Sequence, residues 1–317
     1  MTHILVYLHD PERRDCDLGR LASIGDVQVT IASNLNEAKP ALADAEILIT
    51  VGTQLGDQAE AVLGGAPRLK YVQSIGTGTD NLRGHPAMSS DVAVCNVHGI
   101  HGAQLSEAAF AAMLSFSRGL AQSFSDQRAT RWNKRAANLL CGKTVAIYGL
   151  GAIAAELAPR CAAFGMRVVG ISATTREVPG FDKVYARADL ARAVADVDYL
   201  ILLTPLSSET YHSIDAHVLD AMKSSAVLIN IARGGVVDEA ALLAALQSGG
   251  IAGAALDVFE TEPLPTDHPF WTMSNVMVTP HSAGFHTGYA SDAYAVIEQN
   301  IRNYLSGGTA ALINRVQ

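Results

Sequence analysis

The chain has 317 residues, 49% of them hydrophobic and 17% charged, and its 23 Lys and Arg against 31 Asp and Glu leave a net charge of −8. That length suits two domains, and the composition excludes a disordered chain. An acidic chain without a Lys/Arg block is a poor partner for a phosphate backbone or an anionic membrane, so neither nucleic acid nor membrane is expected to bind.

Residues 3–9, 27–32, 46–51, 69–75 and 91–97 are short β-rich runs, with helical stretches such as Asn36–Asp44 and Gln54–Leu63 between them. From Ser106, a plausible cap, an Ala/Leu/Phe-rich helical pattern runs to Gln122 and on to about Ala129. Polar residues Arg131–Asn138 lead into a second α/β series, with strands near 144–148, 167–172, 198–204, 226–231, 251–257 and 276–279 and a last helix over about Thr287–Leu305. Alternating strands and helices imply parallel sheets. The expected class is α/β, a Rossmann dinucleotide-binding domain inserted in a discontinuous flavodoxin-like substrate domain. The substrate domain takes residues 1–104 and 283–317, and the cofactor domain takes 105–282. Cys16, Cys95, Cys141 and Cys161 form no CxxC pair, which points to reduced thiols in a cytoplasmic protein. The polar Thr2 and His3 and the strand-like run after them do not read as a signal peptide. No apolar stretch reaches the ~18 residues of a membrane helix.

The strand Thr144–Tyr148 runs into Gly149-Leu-Gly151-Ala152-Ile153-Ala154. In this GxGxxA pattern the first glycine permits a tight turn and the second lets the backbone approach a pyrophosphate. The third small residue packs helix on strand, and the helix N-terminus offers free N–H groups. The next strand ends at Ser172, followed by Thr174 and Arg176, with no carboxylate for a ribose 2′-hydroxyl. A hydroxyl and a guanidinium suit a 2′-phosphate, so NADP(H) is favoured over NAD(H). The alternative is a solvated Arg176 and a ribose held otherwise.

Three later segments each follow a strand: Asn230 through Glu239 with Ala232 and Arg233, Ala255 through Pro265 with Asp257 and Glu262, and Thr279 through Gly284 with His281. In open α/β sheets that edge is where ligands sit. Arg, carboxylate and His together suit a carbonyl reduction. The Arg clamps a substrate carboxylate in two-pronged fashion, the His gives a proton to the nascent alkoxide, and the acid orients the imidazole.

At these residues the sequence resembles the D-isomer-specific 2-hydroxyacid dehydrogenases, closest in type to NADP-dependent glyoxylate/hydroxypyruvate reductases. The likeness also takes in Ser74-Ile-Gly-Thr77-Gly78-Thr-Asp80-Asn81 and Asn96 through Glu107, and so runs over nearly the whole chain. It implies hydride transfer between a nicotinamide cofactor and a small 2-oxo or D-2-hydroxy acid. The catalytic residues would be Arg233, Glu262 rather than Glu260, and His281. Thr77 and Gly78 would bind the substrate carboxylate through backbone N–H groups. The cofactor would touch Gly149, Gly151, Ala152, Ile153, Ser172, Thr174, Arg176, Thr204, Pro205, Ala232, Asp257 and Gly284. No metal is implied. A homodimer through 106–140 is expected, with Trp132 at a position that can reach a partner. His98, His101 and His286 read as structural histidines. Two other readings stay open: a formate- or phosphite-oxidising relative, against which Glu262 counts, and a nucleotide-sensing, corepressor-like interaction protein on the same fold.

Overall fold

The computed structural model describes residues 1–8, 18–52 and 55–317; expectations that touch His9, Cys16 and Gln54 lie outside the described residues. The chain forms two compact units, one of Met1–Ile100 with His286–Gln317 and one of His101–Phe285.

The first unit is built on five strands, β1 (Thr2–Tyr7), β2 (Val27–Ala32), β3 (Ile47–Thr50), β4 (Tyr71–Ser74) and β5 (Ala93–Cys95). They lie in the order β2-β1-β3-β4-β5, and every pair is parallel. This is the flavodoxin-like order. Side chains alternate across the sheet because the strand period is two. Leu5, Tyr7, Leu48 and Val72 therefore face Ala38, Leu42, Val62 and Leu63 of α1 (Leu35–Leu42) and α2 (Ala59–Gly64). Ile4, Val6, Ile47 and Ile49 face Ala293, Ile297 and Ile301 of the last helix, Tyr289–Gly307. The spacing of four puts these three on one helical face, and each large side chain so buried stabilises by roughly 1.5–3 kcal/mol. That face returns the C-terminal helix to a sheet built from the first 95 residues.

The second unit carries seven strands: β6 (Thr144–Tyr148), β7 (Arg167–Ser172), β8 (Lys183–Ala186), β9 (Tyr199–Leu202), β10 (Val227–Asn230), β11 (Gly253–Leu256) and β12 (Val276–Val278). Their order is β12-β11-β10-β9-β6-β7-β8, parallel throughout. It is the Rossmann order with one more strand added beyond the sixth. Val145, Ile147, Ile201 and Ile229 pack on α3 (Gly102–Arg118) and α5 (Ala152–Ala163) through Ala109, Ala112, Met113, Ala154, Leu157 and Ala158. The small alanines bring helix and sheet close. On the other face Ala146, Ile171, Leu200, Leu228 and Leu256 meet α6 (Leu190–Val194), α7 (Ala216–Ala221) and α8 (Glu239–Ser248).

Three local readings need correction. Ser106 is no cap: α3 starts four residues earlier, and the Ser106 hydroxyl, inside the helix, donates to Gly102 O at 2.6 Å. A serine can satisfy its hydroxyl on the preceding turn, so its presence alone does not mark a helix start. β8 was not anticipated, because its residues are half exposed and open on a lysine. The helical pattern to Ala129 is two helices, with α4 (Leu120–Arg128) following a break at Gly119. Beyond it, 130–139 is irregular and exposed. Buried Asp126 pairs with Arg131 at 3.3 Å and with Arg135, and the Arg135 hydrogen bond, opposed by burial, keeps its carboxyl below the usual value. Among the described cysteines, burial pushes the Cys95 and Cys161 thiols up to about 12, while Cys141 is exposed. Among the described residues, no helix is long and apolar enough to cross a membrane.

Candidate active site

The coenzyme corner forms where β6 turns into α5. Gly149 lies at φ +105, and a Cβ there would stand 2.6 Å from Thr204 N and 2.7 Å from Leu203 C. Only glycine allows both that conformation and that approach. A Cβ on Gly151 would meet nothing within 4 Å, so the second glycine faces open space. Gly151 is the N-cap of the 12-residue α5 and makes no side-chain cap, so Ala152 and Ile153 open a helix whose first N–H groups can receive an anion. This cradle fits a dinucleotide pyrophosphate. At the end of β7 the Ser172 hydroxyl donates to Thr174 O at 2.6 Å, and Arg176 Nη2 reaches Leu150 O at 3.4 Å. That guanidinium, from an exposed residue, is thereby brought to the glycine turn. Thr204 is buried beside Gly149, and Thr210 Oγ1 donates to Pro205 O at 2.7 Å, fixing that loop.

The catalytic corner forms beyond β10, β11 and β12 of the same sheet. Asn230 shapes the first turn: its Oδ1 accepts from Ala232 N at 3.1 Å, and its Nδ2 donates to Arg233 O at 2.9 Å. Arg233 Nη1 donates to Ala232 O at 2.6 Å. The second segment passes against this turn, since a Cβ on Gly234 would overlap the Phe259 carbonyl and the Glu260 nitrogen. Glu262 Oε1 accepts from Phe259 N at 3.0 Å, and Glu262 Oε2 sits 2.7 Å from His281 Nδ1. Burial pushes the Glu262 carboxyl up. The hydrogen bonds from His281 and Phe259 N–H and the charges of His281 and Arg233 outweigh it, and the group ends below its ordinary value. The structure thus brings Arg233, Glu262 and His281 together.

His281 has φ +50, a left-handed conformation that costs a non-glycine residue about 1–3 kcal/mol. Asp257 holds it there. The Asp257 carbonyl accepts from His281 N at 2.7 Å. Its carboxylate, 3% exposed, accepts from Thr279 Oγ1 at 2.5 Å, Ser282 N at 2.9 Å and Ala283 N at 3.0 Å. This bracing of the His281 loop is a role the sequence did not reveal. Gly284 ends the loop, where a Cβ would meet the His101 ring at 3.3 Å.

Thr77 and Gly78 belong to the first unit, in the loop after β4. Both carbonyls are tied, Thr77 O by Asn96 Nδ2 at 2.9 Å and Gly78 O by Ser74 Oγ at 3.0 Å. Among the described residues, no acceptor takes the N–H of either, so the loop offers two amides from half-buried positions. Ser74 and Asn96 lay within the motif runs, but the sequence assigned them no role. The His98 backbone N–H donates to Asn96 Oδ1 at 3.1 Å, and the His286 ring pairs with Asp292 at 3.4 Å. Among the described residues, no group of His, Cys, Asp and Glu could hold a metal ion.

A Rossmann sheet with a glycine cradle at one corner and an Arg, Glu and His at another defines a nicotinamide-dependent oxidoreductase. Residues 110–283 match the family described as "D-isomer specific 2-hydroxyacid dehydrogenase, NAD binding domain". The chain belongs to the D-isomer specific 2-hydroxyacid dehydrogenase family. It is 36% identical over 283 residues to a glyoxylate/hydroxypyruvate reductase B of Yersinia pestis, covering 86% of this chain and 85% of that one. It is 32% identical over 314 residues to a D-3-phosphoglycerate dehydrogenase of Methanocaldococcus jannaschii, covering 98% of this chain but only 59% of the length of that relative. An NADPH-dependent glyoxylate/hydroxypyruvate reductase of Sinorhizobium meliloti, solved in complex with NADP and sulfate, superposes with a TM-score of 0.86 at 27% identity, covering 100% of this chain and 98% of that chain.

Proposed function

We propose that the protein reduces small 2-oxo acids to D-2-hydroxy acids with a nicotinamide coenzyme, glyoxylate and hydroxypyruvate being the first candidates. The observation that carries this reading is the His281–Glu262 pair at 2.7 Å beside the Arg233 charge. When bound at the Gly149–Gly151 turn, a nicotinamide coenzyme would supply the hydride for the carbonyl reduction. The Arg233 guanidinium takes the substrate carboxylate. Glu262 holds the proton on His281 Nδ1, which leaves Nε2 to deliver its proton to the carbonyl oxygen as the C=O π bond opens. In the reverse direction the same nitrogen takes the proton back. Glu262 stands against formate chemistry, which needs no such donor.

The coenzyme is NADP(H) rather than NAD(H). Support comes from Ser172 and Arg176 at the corner where a carboxylate would hold a free ribose, and from the NADP bound to the Sinorhizobium relative. Gly149, Gly151, Ala152 and Ile153 would take the pyrophosphate, with Thr174, Thr204, Pro205, Ala232 and Gly284 lining the rest. Asp257, whose carboxylate accepts from Thr279, Ser282 and Ala283, would also serve the nicotinamide amide. The protein works as a cytoplasmic homodimer. Leu120, Phe124, Trp132 and Leu139 are exposed along α4 and the segment after it, Trp132 fully so, an apolar surface of the kind partners cover. Turnover of a panel of 2-oxo acids with NADPH and NADH, followed by coenzyme absorbance, tests the reading. Coenzyme binding without turnover of any acid would favour the nucleotide-sensing alternative.

A further inference from the structure

Glu260, the acid set aside in favour of Glu262, is gripped at both ends. Its N–H donates to Glu239 Oε1 at 2.7 Å, and its carboxylate lies 2.5 Å from His212 Nε2. His212 is itself fixed, at φ +47, with its N–H on Gly235 O at 2.8 Å and its ring stacked 3.9 Å from that of Tyr211. Glu239 is the first residue of α8, and the helix is capped independently, because Asp238 Oδ1 accepts from Ala241 N at 3.0 Å. The peptide that Glu239 grips is the one that rests on Gly234. Two residues further on is Glu262, whose Oε1 is held by the N–H of Phe259 on the other side of that peptide. A continuous set of contacts thus runs from the Arg233 turn, through Glu239 and Glu260, to the carboxylate on His281.

We propose that Glu239 is a positioning residue for the proton-donating pair, holding the 259–262 segment by the Glu260 N–H so that Glu262 meets His281, with His212 as the second brace on Glu260. The proposal rests on the reading of Glu262 and His281 as that pair. Small displacements of a catalytic group are costly, and a shift near 1 Å loses up to ~100-fold in rate. A glutamine at 239 keeps an oxygen that can accept the Glu260 N–H, whereas an alanine keeps none.

The test uses the full chain with four variants: Glu239→Ala, Glu239→Gln, Glu262→Gln and the double Glu239→Ala/Glu262→Gln. For reduction of the best 2-oxo acid, Glu239→Ala is expected to lose roughly 10- to 100-fold in kcat with KM little changed. Its solvent deuterium isotope effect should rise toward that of Glu262→Gln, because proton delivery becomes slower. Glu239→Gln should recover most of the loss, and Glu239→Ala should add nothing to Glu262→Gln. The isotope effect does not depend on the active fraction, so partial misfolding would not imitate it. If Glu262→Gln is impaired while Glu239→Ala is not, or if the two losses multiply, this inference falls and the catalytic reading stands. Full activity in Glu262→Gln would overturn both.

Discussion

The two corners of the Rossmann sheet are built in different ways. At the proposed catalytic corner the imidazole and the two carboxylates are fixed by one another and by the backbone. His281 is tied to Glu262, Glu262 to Phe259 N–H, and the His281 loop to Asp257 by three carboxylate bonds. At the corner proposed for the coenzyme the groups on offer are backbone amides, with a hydroxyl and a guanidinium on residues whose contacts are to nearby carbonyls. Proton transfer needs a donor placed within a fraction of an ångström, and that placement has to be built before substrate arrives. A pyrophosphate needs only converging N–H groups, and the choice of coenzyme is left to a few surface side chains. On the proposed reading, substitutions at the first corner should cost more than substitutions at the second.

The largest effect is expected at His281. Replacement by Ala removes the proposed proton donor and should lower kcat by ~10²–10⁴-fold. The dissociation constant of NADPH, measured by fluorescence titration, should hardly move, since His281 contributes nothing to the glycine cradle. Wild-type turnover would remove His281 from the mechanism, and a lost coenzyme affinity would show that the two corners are not independent. Gly149→Ala is the reciprocal break. The new Cβ would stand 2.6 Å from Thr204 N at a φ of +105, a strain of about 1–3 kcal/mol, so coenzyme affinity and thermal stability should fall together. An unchanged melting temperature in that variant would mean the turn can relax and the cradle is not rigid.

A smaller and more selective effect is expected at Arg176. A charge-assisted hydrogen bond to a phosphate is worth about 1.5–3 kcal/mol. Arg176→Ala should therefore weaken NADPH by roughly 10-fold or more and leave NADH unchanged, so the informative quantity is the ratio of the two kcat/KM values. Equal losses with both coenzymes would show that Arg176 supports the Leu150 turn rather than a 2′-phosphate.

What was legible in the sequence follows the same division. Gly149, Gly151, Arg233 and His281 could be picked out because each stands directly after an apolar strand run, where short-range spacing carries the signal. Both sheets were readable in outline because buried parallel strands are continuous aliphatic runs. The edge strand Lys183–Ala186 was not, being half exposed and short. Ser106 misled because a helix-interior serine and a cap look alike in sequence. The braces were hidden for another reason. His212 and Glu260 are 48 positions apart, and Asp257 and Ser282 are 25 apart. No periodicity links such pairs, and only the folded sheet brings their loops together. Glu262 could be preferred to Glu260 only through the family resemblance, since on residue type alone the two acids are equivalent.

The smallest expected effect separates the two acids of the catalytic corner by sign. Glu262 lies below its ordinary value of 4.5, whereas burial, with the charges of Glu260 and Glu262, pushes Glu239 above it. A carboxyl that is depressed in the folded state contributes stability above its unfolded value and loses it as pH falls through the folded one. One that is raised does the opposite, costing stability once pH rises past the folded value. At neutral pH, Glu262→Gln should therefore lower the melting temperature and Glu239→Gln should raise it. Both differences should shrink as the pH is taken below the ordinary carboxylate range, where wild type and variants carry the same charge at these positions. Both groups are partly solvated, so the shifts should be modest and should weaken with salt. Two shifts of the same sign at neutral pH would mean that the acids respond as one buried cluster, and the contrast between a functional carboxylate and its brace would then have no electrostatic basis.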